Sequence, residues 1–236
     1  MEPYEVTFQT NCYEKDWEIL LKTDRLKNMI NYNYYPFKEK ILYINNVNDP
    51  TEVRYYAEKL VQENIITAYF TSDDYAEEAL NFFDINRESF HGGLYYSIAE
   101  LVGIYLCKTE YLLSYKGDVI LEKPFEWVSQ AIQTMEGDNR IKVANPTWNW
   151  RYYEARQEAF DEDENYFIGY GFSDQCFLIC TKDFKTRIYN EENPASQRYP
   201  AYGGESFEKR VDAWMRNHKH YRITSKNISY IHKSFS

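Results

Sequence analysis

Strand-length apolar runs and helix-length amphipathic runs alternate through the first half of the chain, and no other feature of the sequence limits the fold as strongly. Glu5 to Thr10 sets Val6 and Phe8 at the period of two that marks a strand. Between Lys15 and Asn31 the apolar stripe changes phase. Trp17, Leu20 and Leu21 share one helical face while Leu26, Met29 and Ile30 share another, so two short helices are expected, the second capped by Thr23 or Asp24. Lys40 to Asn45 is the next strand. Asp49-Pro50-Thr51-Glu52 then opens a helix with an N-cap acid, a first-turn proline and a capping-box glutamate. Val53, Tyr56, Ala57, Leu60 and Val61 form its apolar stripe. Ile65 to Thr71 makes a third strand, and Ser72 or Asp73 caps a helix bearing Ala76, Ala79, Leu80 and Phe83. After Gly92-Gly93, a helix aligning Ile98, Leu101, Val102, Tyr105 and Leu106 leads into the apolar run Tyr111 to Tyr115. Repeated strand and helix with right-handed crossovers predicts an α/β fold, a mostly parallel central sheet flanked by helices with its cleft at the carboxyl edge.

The second half is less regular. Pro124 leads a helix presenting Phe125, Val128, Ile132 and Met135, Ile141 to Ala144 reads as a strand, and Asn145 to Trp150 reads as an aromatic loop. Phe177 to Thr181 is another strand, and Phe207, Val211 and Trp214 mark a last helix after Gly203-Gly204. The tail from Arg222 has no clear period and receives no assignment. No linker, repeat or low-complexity tract divides the chain, so residues 1–236 are expected to form a single domain.

A net charge of -10 argues against a nucleic-acid binder, which needs a basic face to neutralise phosphates. No run reaches the length of a membrane span, and MEPYEV has no leader pattern. Cys12, Cys107, Cys176 and Cys180 have neither metal-ligand spacing nor the density of a disulfide framework, which favours reduced thiols and a cytoplasmic setting. Aromatic residues make up 18% of the chain, a composition suited to stacking on sugar rings or bases as well as to large cores.

The stretch from Glu110 to Lys123 concentrates the chemistry. Tyr111, Leu112 and Leu113 suit a strand buried on both faces, and Lys116-Gly117-Asp118 breaks it where such a strand reaches solvent. In an open parallel sheet, ligands sit outside the carboxyl ends of the strands, so a charged break there is a candidate site as well as a turn.

The same stretch, with Gly103, Thr109-Glu110-Tyr111 and the apolar run before Lys116-Gly117-Asp118, resembles the nucleotide-sugar glycosyltransferases of GT-A fold that carry a DxD motif. The likeness is strongest from Leu94 to Leu121 and from Phe172 to His218. It implies a Rossmann-type sandwich with residues 1–121 binding the nucleotide sugar and 122–236 the acceptor. Lys116 stands where the family has its first acid, and Glu100 where many members have arginine. Asp118 keeps the second acid, which in the family binds a divalent metal, Mn or Mg, with His232 able to complete the site. Alternatively Lys116 supplies the positive charge that faces the leaving diphosphate. Tyr202-Gly203-Gly204-Glu205-Ser206 resembles the segment whose acid serves as general base, which nominates Glu205 with Asp174 as a second candidate, and implies inversion at the transferred carbon. Thr10, Asn11 and Asn45 lie where the family grips the nucleotide, and Trp148 and Trp150 where it lines the acceptor site. The implied partners are a nucleotide diphosphate sugar donor and a glycan or other hydroxyl acceptor. A nucleotide-sugar or glycan-binding protein without catalysis, and a nucleotidyltransferase, are the rival readings.

Overall fold

The computed structural model describes residues 3–232. Its first half runs β1 (Val6–Cys12), α1 (Trp17–Lys22), α2 (Arg25–Asn31), β2 (Glu39–Ile44), α3 (Pro50–Gln62), β3 (Ala68–Thr71), α4 (Ser72–Phe83), α5 (Ile98–Leu106) and β4 (Tyr111–Tyr115). The four strands lie in the order β3-β2-β1-β4, all parallel, with Phe8 opposite Leu113 on one side and Lys40 on the other. The expected alternation is therefore the observed one. The capping pattern at Asp49 forms as its residues imply: Oδ1 accepts the N–H groups of Thr51 and Glu52 at 3.0 and 3.1 Å. At the start of α2 it is the Thr23 hydroxyl that receives the Arg25 N–H, at 3.2 Å.

Beyond β4 come β5 (Val119–Leu121), α6 (Val128–Gly137), β6 (Ile141–Trp148), α7 (Tyr152–Glu158), β7 (Ala159–Glu162), β8 (Tyr166–Gly169), β9 (Cys176–Cys180), α8 (Thr181–Phe184), α9 (Phe207–Asn217) and β10 (Tyr221–His232). They extend the same sheet to ten strands, continuing β4-β9-β6-β10-β8-β7, with β5 paired to β10. Antiparallel pairing enters at β9, which lies between β4 and β6.

Several details differ from the sequence reading. Helix α4 begins at Ser72 with Thr71 as its N-cap, so neither Ser72 nor Asp73 caps it. The segment expected as an aromatic loop is strand as far as Trp148, because β10 supplies a parallel partner for Asn145 to Trp148 despite Pro146. The unassigned tail is the twelve-residue β10, whose hydrogen bonds are shared among β6, β8 and β5, so no single face imposes an alternation. Helix α6 starts at Val128 rather than at Pro124, since the Phe125 N–H is taken by the Tyr32 carbonyl and the Glu126 carboxylate caps the Ser129 N–H.

Helices cover both faces of the sheet. One core joins Leu20, Leu26, Met29, Ala57 and Ile132 to Val6, Phe8 and Leu113, and the other joins Leu80, Leu101, Val211 and Trp214 to Leu112, Val143 and Ile179. Because successive strand residues face opposite cores, Leu112 and Leu113 are both fully buried, which explains the uninterrupted apolar run of β4. All four cysteines are free thiols, and Cys176 and Cys180 lie on strand β9. Among the described residues, no helix is long and apolar enough to cross a membrane.

Asn33 joins three elements inside the first core. Its Oδ1 accepts from the Tyr115 hydroxyl and the Trp127 indole N–H, both at 2.9 Å, while its amide donates to the Met29 carbonyl at 2.7 Å. Asn33→Ala strands two buried donors, and we expect it to lower unfolding free energy by about 2–4 kcal/mol in urea titration. A loss within a few tenths of a kcal/mol would show that these groups find other partners.

Candidate active site

Strands β2 and β4 flank β1, so the chain leaves β1 in one direction and returns on its other side. That is the switch point at which open α/β sheets leave a crevice outside the strand carboxyl ends. Asn11 and Asn45 sit at this edge on the β1 and β2 side, and Lys116-Gly117-Asp118 on the β4 side. Gly117 is required here by close approach: a Cβ would lie 2.6 Å from the Asn11 carbonyl oxygen and 2.8 Å from Asp16 Oδ2.

Lys116 turns inward. Its Nζ lies 2.6 Å from Glu100 Oε1 and 3.2 Å from Asp174 Oδ2, and it donates to the Tyr96 carbonyl at 3.2 Å. Burial works against the ammonium, but Asp174 and Glu100 outweigh it and hold it above the ordinary lysine value. Burial pushes the Glu100 carboxyl up, with the Lys116 charge opposing. The Asn11 amide donates to the same Glu100 oxygen at 3.1 Å, which ties the end of β1 to the clamp.

Asp118 has a different partner, its Oδ2 lying 3.0 Å from His232 Nε2. That bond raises the imidazole above its usual value, against the opposing effect of burial. His232 reaches this position because β10 pairs with β5 through His232 and Val119, next to Asp118. The imidazole also lines a pocket of about 400 Å³ whose wall includes Trp148, Phe172, Arg198, Tyr199, Glu208 and Arg222.

The remaining candidates fall at graded distances from this pocket. Trp148 lines it, with the Arg222 guanidinium 5.7 Å above its ring, whereas Trp150 is exposed and its indole N–H donates to Glu122. Thr10 is buried within β1, and the Asn45 amide donates to the Tyr95 carbonyl at 2.7 Å. Neither Glu205 nor Asp174 is part of the pocket wall: Glu205 pairs with Lys209 at 2.7 Å, and Asp174 with Lys116. Ser206 is the N-cap of α9, its hydroxyl accepting the Lys209 N–H at 3.4 Å. The acid that does reach the pocket from this helix is Glu208, which the sequence reading passed over. Its signal was present: Glu208 and Asp212 stand four apart beside the apolar stripe Phe207, Val211 and Trp214, a second face directed at a neighbour.

No family model matches the chain, and no curated protein matches it in sequence. Solved structures do match. TarS of S. aureus superposes over 98% of this chain at a TM-score of 0.54 and 14% identity, and the mannosyltransferase PcManGT from Pyrobaculum calidifontis, in complex with GDP-Man and Mn2+, over 98% at 0.57 and 13%. GalNAc-T7, with UDP, GalNAc and Mn2+, matches over 98% at 0.60 and 11%. This is the GT-A fold. The chain spans 37%, 57% and 44% of the length of those three proteins, respectively.

Two stability measurements test these electrostatics. Lys116→Met leaves Glu100 and Asp174 without their cation and is expected to cost about 3–5 kcal/mol at neutral pH, partly recovered in Lys116→Met/Glu100→Gln. Additive effects in the double variant would contradict the clamp. The second concerns Asp16, which burial pushes up to about 7 from an ordinary 3.8, with the Tyr13 N–H opposing and the Asp118 charge adding to the rise. Between these values the folded chain holds a proton that the unfolded chain has lost, so the group's contribution to stability falls as pH rises from about 4 to about 7 and is flat above. Asp16→Asn should therefore gain stability relative to wild type as pH rises through that window; a constant difference would refute it.

Proposed function

We propose that this protein is a glycosyltransferase that moves a sugar from a nucleotide diphosphate donor to a hydroxyl acceptor in glycan or polysaccharide assembly, with inversion at the transferred carbon. The observation that carries this reading is the convergence, at the GT-A switch point, of the Asp118–His232 pair with a polar and aromatic pocket. The first three solved structures named above support a nucleotide-sugar donor by analogy, since two contain GDP-Man or UDP.

Two of those structures contain Mn2+. One carboxylate and one imidazole at 3.0 Å form a donor set that suits such a cation only if phosphate oxygens and water complete its shell, because no group of three His, Cys, Asp or Glu side chains among the described residues could hold one. Asp118 and His232 would hold the ion, and when bound it would neutralise charge on the departing diphosphate. Lys116 is less suited to that task, as two carboxylates already balance its charge. Its part in this reading is to fix the β4–β5 turn that carries Asp118. Asn11 and Asn45 border the nucleotide side, while Trp148, Tyr199 and Arg222 border the acceptor side.

A panel of UDP- and GDP-sugars, assayed for nucleoside diphosphate release with and without a chelator, tests the reading. We expect release with at least one donor, loss of release in chelator, and a fall of about 100-fold or more in Asp118→Ala. Donor binding without release would identify a nucleotide-sugar-binding protein, and pyrophosphate exchange a nucleotidyltransferase. Undiminished turnover in chelator would return the electrostatic role to Lys116.

A further inference from the structure

We propose that Glu208 is the catalytic base that takes the acceptor proton, an inference that rests on the transferase reading above. Glu154, Glu158 and Glu208 line the pocket, Glu205 and Asp174 are the candidates by sequence, and four of these five are ion-paired. Glu205 is ion-paired with Lys209 at 2.7 Å, Asp174 with Lys116 at 3.2 Å, Glu158 with Arg222 at 3.0 Å and Glu154 with Arg151 at 3.2 Å. Among the described residues, no ion pair within 4.0 Å engages Glu208, and it lines the pocket that His232 also lines.

The helix fixes this orientation from below. Phe207 is fully buried, and its N–H donates to the Ser97 hydroxyl at 2.9 Å. Arg210, also buried, donates to the carbonyls of Glu205 and Tyr189, both at 2.6 Å. With Phe207, Arg210 and Val211 held in the core, Glu208 is turned toward the segment containing Phe172 and Asp174 and the segment containing Arg198 and Tyr199. One turn on, Asp212 occupies the same face but is fully buried, its Oδ2 bonded by Ser196 and Arg216 and its Oδ1 3.5 Å from the Arg198 guanidinium, so it is committed to the interior.

The surroundings suit a base. Burial pushes the Glu208 carboxyl well above the usual range and the Asp174 charge adds to this, whereas the Asp174 N–H, Lys116 and Arg198 favour its ionised form. A raised proton affinity makes a carboxylate a stronger acceptor for a hydroxyl proton only while it is ionised, the form that the Asp174 N–H, Lys116 and Arg198 favour. In the step itself, the acceptor oxygen forms the new bond to the anomeric carbon as its proton passes to Glu208. The bond from that carbon to the phosphate oxygen breaks, and its electron pair leaves with the nucleoside diphosphate. Atoms and charge balance without a further reactant.

The test compares Glu208→Gln, Glu205→Gln and wild type in the full chain, with nucleoside diphosphate binding by calorimetry and release by a coupled assay, using whichever donor wild type turns over. We expect Glu208→Gln to bind nucleoside diphosphate like wild type while kcat falls about 100- to 10,000-fold, and Glu205→Gln to stay within about 5-fold, the scale of losing one modest contact. Near-normal kcat in Glu208→Gln, or the larger loss in Glu205→Gln, overturns the assignment while leaving the transferase reading intact. Absence of release in wild type as well overturns that reading and the base with it. If Glu208→Gln does not fold, Glu208→Asp retains the charge but withdraws it by one methylene; reduced kcat with unchanged donor KM supports the role, and unchanged kcat overturns it.

Discussion

One buried ammonium organises the active edge of this protein. Lys116 lies only 16% exposed between Glu100 and Asp174, and through these two it joins the turn after β4, helix α5 and the loop entering β9. A single buried charge would be expelled or neutralised, and two adjacent carboxylates without a cation would repel; the three together are tolerable where any one is not. The Tyr96 carbonyl and the Asn11 amide complete the arrangement, so the ends of β1 and β4 and the segment before α5 are held in one hydrogen-bonded unit. The sequence resemblance sets an acid at Lys116 and often an arginine at Glu100. In this chain those two positions form an ion pair at 2.6 Å.

The turn after this clamp is tight. Gly117 brings the backbone against Asn11 and Asp16, and Asp118 follows it with its carboxylate hydrogen-bonded to His232. The long final strand then returns His232 to it from the far end of the sequence. Residues more than one hundred positions apart thus meet at the sheet's carboxyl edge, beside a pocket whose other wall is the first turn of α9. Asp118 is held by His232, and His232 and Glu208 both line the pocket.

The parallel half of the fold was legible because each element carries its own signal: the Asp49 cap, the helical stripe of α3 and the doubly buried run of β4. The C-terminal half was legible only in part: the strands at Ile141 and Phe177 and the helix at Phe207 carry their own signals, whereas β5, β7, β8 and β10 depend on partners rather than period. Thr224, Ser225, Lys226 and Asn227 have no period and receive no assignment, yet pairing with β6 and β8 makes much of this region strand. At the site, Lys116 and Asp118 were visible as a charged break in an apolar run. Their surroundings were legible only in part: the resemblance put His232 with Asp118, whereas nothing in the sequence shows that Glu100 and Asp174 face the lysine. Glu208 was missed for a related reason: motif likeness pointed to the residues around Gly203-Gly204, whereas helix rotation, set by Phe207 and Arg210, decides which acid enters the pocket.

The account stands on the location of the donor diphosphate, and a crystal structure of the protein soaked with UDP or GDP and a divalent cation measures it directly. The prediction is phosphate density at the carboxyl edge of β1 and β4, within coordination reach of Asp118 and His232 and open to the pocket lined by Glu208. Density bound elsewhere on the sheet, or a diphosphate held by Lys116 with the Glu100 and Asp174 pairs broken, would contradict it.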